Sequence, residues 1–152
     1  MVRSLVNGSV LLALLIAFTA CGTTPAPTKA SLYDRLGGKK AIDMVVNDFV
    51  DTVGSDPRIK NQKVADRLAA IDIDNLKRLV SDQVCMAAGG PCKYTGRDMK
   101  TTHQDLGITE AEWNYVVDDL VKTLNKYKVP DQEQQELLAL LGPMKTDIVE
   151  AK

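Results

Sequence analysis

The sequence predicts an all-α domain. Three observations carry that prediction. No stretch of useful length alternates apolar and polar residues with a period of two, so no half-buried strand is indicated. Apolar residues recur instead at helical spacing along the chain. Capping residues, glycines and prolines stand where those runs begin and end.

The elements follow in order. Ser31 caps a short first helix that ends at Gly37-Gly38. The next helix runs from Lys39 to Val53. Ala41, Ile42, Val45, Val46, Phe49, Val50 and Val53 form one broad stripe on it. Gly54 is expected to end it, and Pro57 restarts the chain. The stretch from Arg58 to Ile71 is weaker, with a short helix around Val64 to Ala70. A clearer helix follows, capped by Asp72 or Asp74. It carries Leu76, Leu79, Val80, Val84 and Ala87 and stops at Gly89-Gly90-Pro91. Lys93 to Gly107 is polar and reads as a loop followed by one or two helical turns. Thr109-Glu110-Ala111-Glu112 is a capping box. The helix behind it places Trp113, Val116, Val117, Leu120, Val121 and Leu124 on its apolar side. Pro130-Asp131 opens the last helix, with Leu137, Leu138, Leu141 and Ile148 inward and a kink at Gly142-Pro143. Two long N-terminal helices, a polar loop and two long C-terminal helices make one domain with no internal repeat.

The chain has 152 residues and a net charge of −1, so no basic stripe indicates nucleic acid and no acidic tail a polycationic partner. The domain begins only at residue 31. Before it, Arg3 supplies a positive start, and Val10 to Phe18 is a continuous apolar run too short to be an ordinary membrane span. Phe18-Thr19-Ala20-Cys21 resembles the lipobox of bacterial lipoproteins, in which the cysteine is lipidated and becomes the mature N-terminus. Phe18 departs from the usual leucine. The alternatives are ordinary signal cleavage, or an uncleaved anchor with Cys21 at its rim. All of them export the domain. The expected division is a signal peptide over 1–20, lipidation at Cys21, a Thr- and Pro-rich tether over 22–30, and the domain over 31–152. A tether of this length holds the domain roughly 30 Å from the membrane surface.

Export sets the reading of the other cysteines. Cys85 and Cys92 form an even pair in an oxidising compartment, separated by a segment containing Gly89-Gly90-Pro91 that can turn back on itself. A disulfide is the favoured reading. The alternative is a buried, inert Cys85 and a free thiol at Cys92.

His103 is the single histidine. Taken alone, such a residue is more often structural or exposed than a ligand. No His/Cys cluster has zinc spacing, and no nucleophile motif accompanies it. No glycine-rich loop follows a strand, so both Gly-Gly pairs serve as helix punctuation. Most carboxylates lie on helix faces expected to be solvated.

The segments Ser31-Leu32-Tyr33-Asp34-Arg35-Leu36-Gly37-Gly38, Val46-Asn47-Asp48-Phe49, Gly89-Gly90-Pro91, Tyr94-Thr95-Gly96-Arg97-Asp98-Met99-Lys100-Thr101-Thr102-His103, Gly107-Ile108-Thr109 and Val129-Pro130 resemble, in order, the truncated haemoglobins of the first group. The likeness spans Ser31 to Val149, and the block from Gly89 to His103 is its specific part. It implies a two-over-two helical sandwich around haem b, with His103 as the proximal iron ligand. A flat, apolar macrocycle with two propionates needs an apolar slot, one donor and a polar rim. Leu76 and Val80 on one helix, with Trp113 and Val117 on another, can wall the slot. Ile108 joins them, and Met99 lies one turn before His103, able to pack under the ring. Tyr94, Arg97 and Lys100 are candidates for the rim. The alternative is that the apolar side chains form an ordinary core and the charged ones a solvated face.

The sequence also departs from that family. Its distal tyrosine position holds Val50, and the facing-helix positions hold Leu76 and Val80. Gln83, one turn beyond, is the nearest amide. The segment from Ile59 to Ile73 is longer than usual and has no aromatic residue, so Leu68 is the best match to the phenylalanine that packs on the haem. A distal hydrogen bond to oxygen contributes roughly 1–3 kcal/mol, about tenfold to a hundredfold in off-rate. The expected function is a haem globin that binds oxygen, nitric oxide or carbon monoxide in an unusually apolar pocket, with fast oxygen release. An extracytoplasmic electron-transfer or haem-handling protein is the alternative. A non-haem interaction module is disfavoured because the histidine and its motif are both kept. No catalytic residue is assigned, since dioxygenation of nitric oxide needs stable oxygen binding. A reductase partner is compatible with these roles and carries no signature in the chain.

Overall fold

The computed structural model describes residues 30–150, so the signal segment, Cys21 and all but the last tether residue lie outside the described residues. The described chain is helical, with helices α1 (Leu32–Arg35), α2 (Gly38–Ser55), α3 (Gln62–Ala70), α4 (Ile73–Ala87), α5 (Met99–His103), α6 (Glu110–Lys126), α7 (Asp131–Leu141) and α8 (Lys145–Ile148). A 3₁₀ turn at Gly142–Met144 makes the expected kink between α7 and α8. Among the described residues no helix is long and apolar enough to cross a membrane.

Local chemistry sets the boundaries. The Asp72 carboxylate accepts from the Asp74 and Asn75 amides and starts α4. Thr109 and Glu112 form the reciprocal capping box of α6. One boundary differs from expectation. Gly54 lies inside the last turn of α2, which continues to Ser55. The Thr52 and Ser55 hydroxyls bond back to the Asp48 and Asp51 carbonyls, so side chains close the turn that a glycine was expected to break. Asp56 is the residue that turns extended.

The stripe on α2 buries Ile42, Val46 and Val50 against Val84 and Cys85 of α4, Leu124 of α6 and Leu137 of α7. α2 thus packs on both α4 and α6, while α1 lies against α2 and α7. Arg35 joins α1 to α7 through Glu133, at 2.9 Å, and through Glu136.

Cys85 and Cys92 are bonded, with Cα atoms 5.8 Å apart. The turn between them depends on Gly90. Its amide donates to the Cys85 carbonyl, and a Cβ there would collide with the Tyr33 ring and sit 2.7 Å from Cys85 Sγ.

One carboxylate defies the expected solvated surface. Asp119 on α6 is only 2% exposed. Arg58 reaches it from the α2–α3 connection at 2.9 Å, and Lys122 closes on the same oxygen at 3.1 Å. Arg58 also lies 4.6 Å over the Tyr115 ring and holds Asp56, whose carboxyl it drives down to about 2. Arg58 thereby ties the α2–α3 connection to α6 next to Ile59, a residue of the cavity wall described next.

Candidate functional site

The helices enclose a cavity of about 840 Å³. α2 contributes Val50 and α3 contributes Leu68. α4 contributes Leu76, Val80 and Gln83. Met99, His103 and Ile108 come from α5 and the segment after it, and Trp113 and Val117 from α6. Tyr94 and Arg97 border it from the loop before α5. These residues, expected from the sequence to bind the cofactor or form the distal side, therefore line one space. Lys100 does not. It is exposed and turns away because α5 presents His103 and Met99, four residues apart, to the cavity.

α5 is too short to hold itself and is fixed by polar ties. The Asp98 carboxylate caps it by accepting from the Thr101 amide at 2.8 Å, and that bond holds the Asp98 carboxyl below its ordinary range. The Thr102 hydroxyl donates to the Asp98 carbonyl at 2.8 Å, and Arg67 of α3 reaches the Thr102 carbonyl. The preceding loop folds on itself. The Tyr94 hydroxyl donates to the Arg97 carbonyl at 2.7 Å, and its ring lies so close to Gly96 that a Cβ there would collide with the phenol oxygen. Tyr94 therefore borders the cavity with its hydroxyl already engaged, and burial pushes its phenol upward.

The same logic orients His103. Its Nδ1 lies 2.8 Å from the Met99 carbonyl. A carbonyl only accepts, so Nδ1 carries a proton, and in the neutral imidazole Nε2 is left with its lone pair. Nε2 makes no hydrogen bond among the described residues. An imidazole in this tautomer, at the edge of an apolar cavity, has the donor that a metal needs.

The donor set says what kind of metal group fits. Among the described residues no three His, Cys, Asp or Glu side chains are grouped to hold a bare ion. One imidazole suffices only for a metal that brings most of its own ligands. Haem does so, and the long aliphatic lining suits its macrocycle. The residues present fit the group.

Sequence reasoning gives no site role to several polar side chains on the lining, among them Arg67, Asn75 and Glu112. Arg67 and Asn75 stand in no motif, and Glu112 reads only as part of the capping box. Each has a structural partner, respectively the Thr102 carbonyl, Arg78 and the Thr109 cap. Gln83 also borders the cavity, with its amide directed to the Met144 sulfur at 3.5 Å.

A helical sandwich closed around such a cavity, with one histidine at its edge, defines a globin of the shortened two-over-two type. The chain belongs to the bacterial-like globin family, whose model matches residues 31–150. It is 34% identical over 122 residues to the group 1 truncated hemoglobin GlbN of Mycolicibacterium paratuberculosis, covering 78% of this chain and 84% of that one. It is 32% identical over 119 residues to the group 1 truncated hemoglobin GlbN of Synechocystis, covering 74% and 90%. Among solved structures, the 2/2 hemoglobin of Synechococcus sp. PCC 7002, in the cyanomet state with covalently attached heme, superposes with a TM-score of 0.70 at 29% identity, over 79% of this chain and 98% of that one. The truncated hemoglobin of Tetrahymena pyriformis in its Fe(III) form gives 0.71 at 24% identity with the same coverage, a likeness of fold. Haem b is the cofactor of this family.

Proposed function

We propose that His103 Nε2 is the proximal ligand of the haem iron and that the protein binds a diatomic gas on the opposite face of the ring. The observation that carries this reading is the Nδ1 bond to the Met99 carbonyl, which leaves Nε2 free at the cavity edge. When bound, haem supplies an iron with one open position for oxygen, nitric oxide or carbon monoxide.

The chain's own residues shape the two faces. Met99, one turn before His103, would pack against the bound ring, and Arg97 would meet its propionates at the cavity border. Leu68, Ile108, Trp113 and Val117 exclude water from its edges. Val50, Leu76 and Val80 make the distal side apolar, and Gln83 has its amide committed to Met144. Such a wall admits a small apolar gas, and Val50, Leu76 and Val80 offer oxygen no donor, so fast oxygen release is expected. The same lack of a distal donor favours, as a second reading, electron transfer or haem handling without a stable oxygen complex.

The test is hemin titration of the domain over residues 31–152, followed by absorption spectra. A sharp Soret band in the parent, lost or displaced in His103→Ala with haem affinity down by at least about a hundredfold, is expected. An unchanged spectrum and affinity in the variant would overturn the assignment. Spectra of the reduced protein under oxygen and then under carbon monoxide separate the two readings.

The lipobox-like segment supports a further part of the proposal, that the domain works outside the cytoplasm on a lipid anchor at Cys21. Metabolic labelling with an alkyne fatty acid should mark the full chain and fail to mark Cys21→Ala. Equal labelling of both would count against the anchor.

A further inference from the structure

The chain beyond His103 turns abruptly. Asp105 has φ of 65° and Gly107 φ of 68°, and an L side chain such as that of Asp105 keeps this conformation only when it is held. Part of the hold comes from the turn itself and from the residues that open α3. The Leu106 amide donates to the His103 carbonyl at 3.2 Å, and Asn61 and Lys63 donate to the Leu106 and Asp105 carbonyls at 3.0 Å each. The rest comes from the far end of the chain. The Glu150 carboxylate accepts from the Asp105 amide at 2.8 Å with one oxygen and from the Gly107 amide at 2.5 Å with the other. The Glu150 amide in turn donates to the Ile108 carbonyl at 2.9 Å, and α8 packs on α5. Both bonds to the carboxylate are charge-assisted, and they hold the Glu150 carboxyl below its ordinary range.

We propose that Glu150 is a positioning residue for His103, a clasp that locks the turn after the proximal histidine and so fixes where its imidazole stands. This rests on His103 being the haem ligand. α5 ends at His103, so no further helical turn secures that residue from its C-terminal side. The clasp supplies that support at the Asp105 and Gly107 amides, which these other bonds leave open. It also fixes Ile108, which lines the cavity. Glu150 does not line the cavity, so its effect reaches the haem only through the turn.

The test uses the full chain loaded with hemin, in parent, Glu150→Ala and Glu150→Gln forms. The readouts are the iron–histidine stretching band in the resonance Raman spectrum of the reduced protein and the rate of hemin transfer to excess apomyoglobin. Glu150→Ala should shift and broaden the band and speed hemin loss by about threefold to tenfold, the range for one or two weakened hydrogen bonds at an exposed site. Glu150→Gln keeps one accepting oxygen and should fall between. Glu110→Ala breaks the α8 ion pair between Lys145 and Glu110 without touching the turn and should leave both readouts at parent values. Parent-like bands and rates in both Glu150 variants would overturn the clasp while leaving the ligand assignment intact. The same shift in Glu110→Ala would also overturn it, since any loosening of α8 would then suffice. Loss of the histidine band in the parent itself would overturn both proposals.

Discussion

The cavity has two unlike walls. One is built by the long helices α2, α4, α6 and α7, through Val50, Val80, Val117 and Leu137, and its polar ties, such as Ser81 to Asp43, Lys77 to Asp51 and Lys126 to Asp48, involve side chains that do not line the cavity. The other is the corner from Pro91 to Thr109, which holds a five-residue helix and owes its shape to polar bonds and a disulfide. Along the long helices many apolar side chains share the burial, and any of them can shift slightly without harm. At the corner the proposed ligand nitrogen must stand at a fixed point, and hydrogen bonds to Met99, Asp98 and Thr102 hold the short helix that carries it. Volume suffices for the wall that excludes water. Direction is needed for the wall that donates.

The largest test of that contrast is Leu124→Ala. Leu124 is 1% exposed, and its truncation should cost about 2–5 kcal/mol by urea unfolding. The position of the Soret band should stay at its parent value. A displaced band would mean that the long-helix wall also positions the histidine, and the contrast would fail.

Next in size is the paired replacement Cys85→Ala and Cys92→Ala. The loop closed by this disulfide is short, and opening it should cost about 2–3 kcal/mol. The replacement should also quicken hemin transfer, because the disulfide anchors the start of the segment that carries Tyr94 and Arg97 to the cavity. Unchanged stability would leave the corner to its polar bonds alone.

Smallest is Val50→Tyr, which adds a donor to the apolar wall. Stopped-flow oxygen dissociation should slow by about tenfold to a hundredfold, equivalent to roughly 1–3 kcal/mol. An already slow rate in the parent would show that a side chain such as Gln83 leaves Met144 and donates, so the wall would not be inert.

Much of the long-helix wall is legible from residue 31 onward, because helical periodicity and capping are local properties. Asp72, Thr109 and the Gly142-Pro143 kink act within a few residues of themselves. The end of α2 departs from expectation at Gly54, since hydroxyl bonds within the turn outweigh the glycine. Lys100 is not on the cavity lining because helix facing, which a linear segment does not display, points it to solvent. The burial of Asp119 escapes a sequence reading because its partner Arg58 lies 61 residues away.

By itself, the sequence determined the helices, the cysteine pair, the lone histidine and the motif around it, all of which depend on neighbours along the chain. Only the tertiary structure decided which nitrogen of His103 is free, that Tyr94 spends its hydroxyl on its own loop, and that Glu150 closes the turn after the histidine. These depend on distances and directions between groups, above all between residues 43 and 45 positions apart in the clasp, and no periodicity in a sequence encodes them.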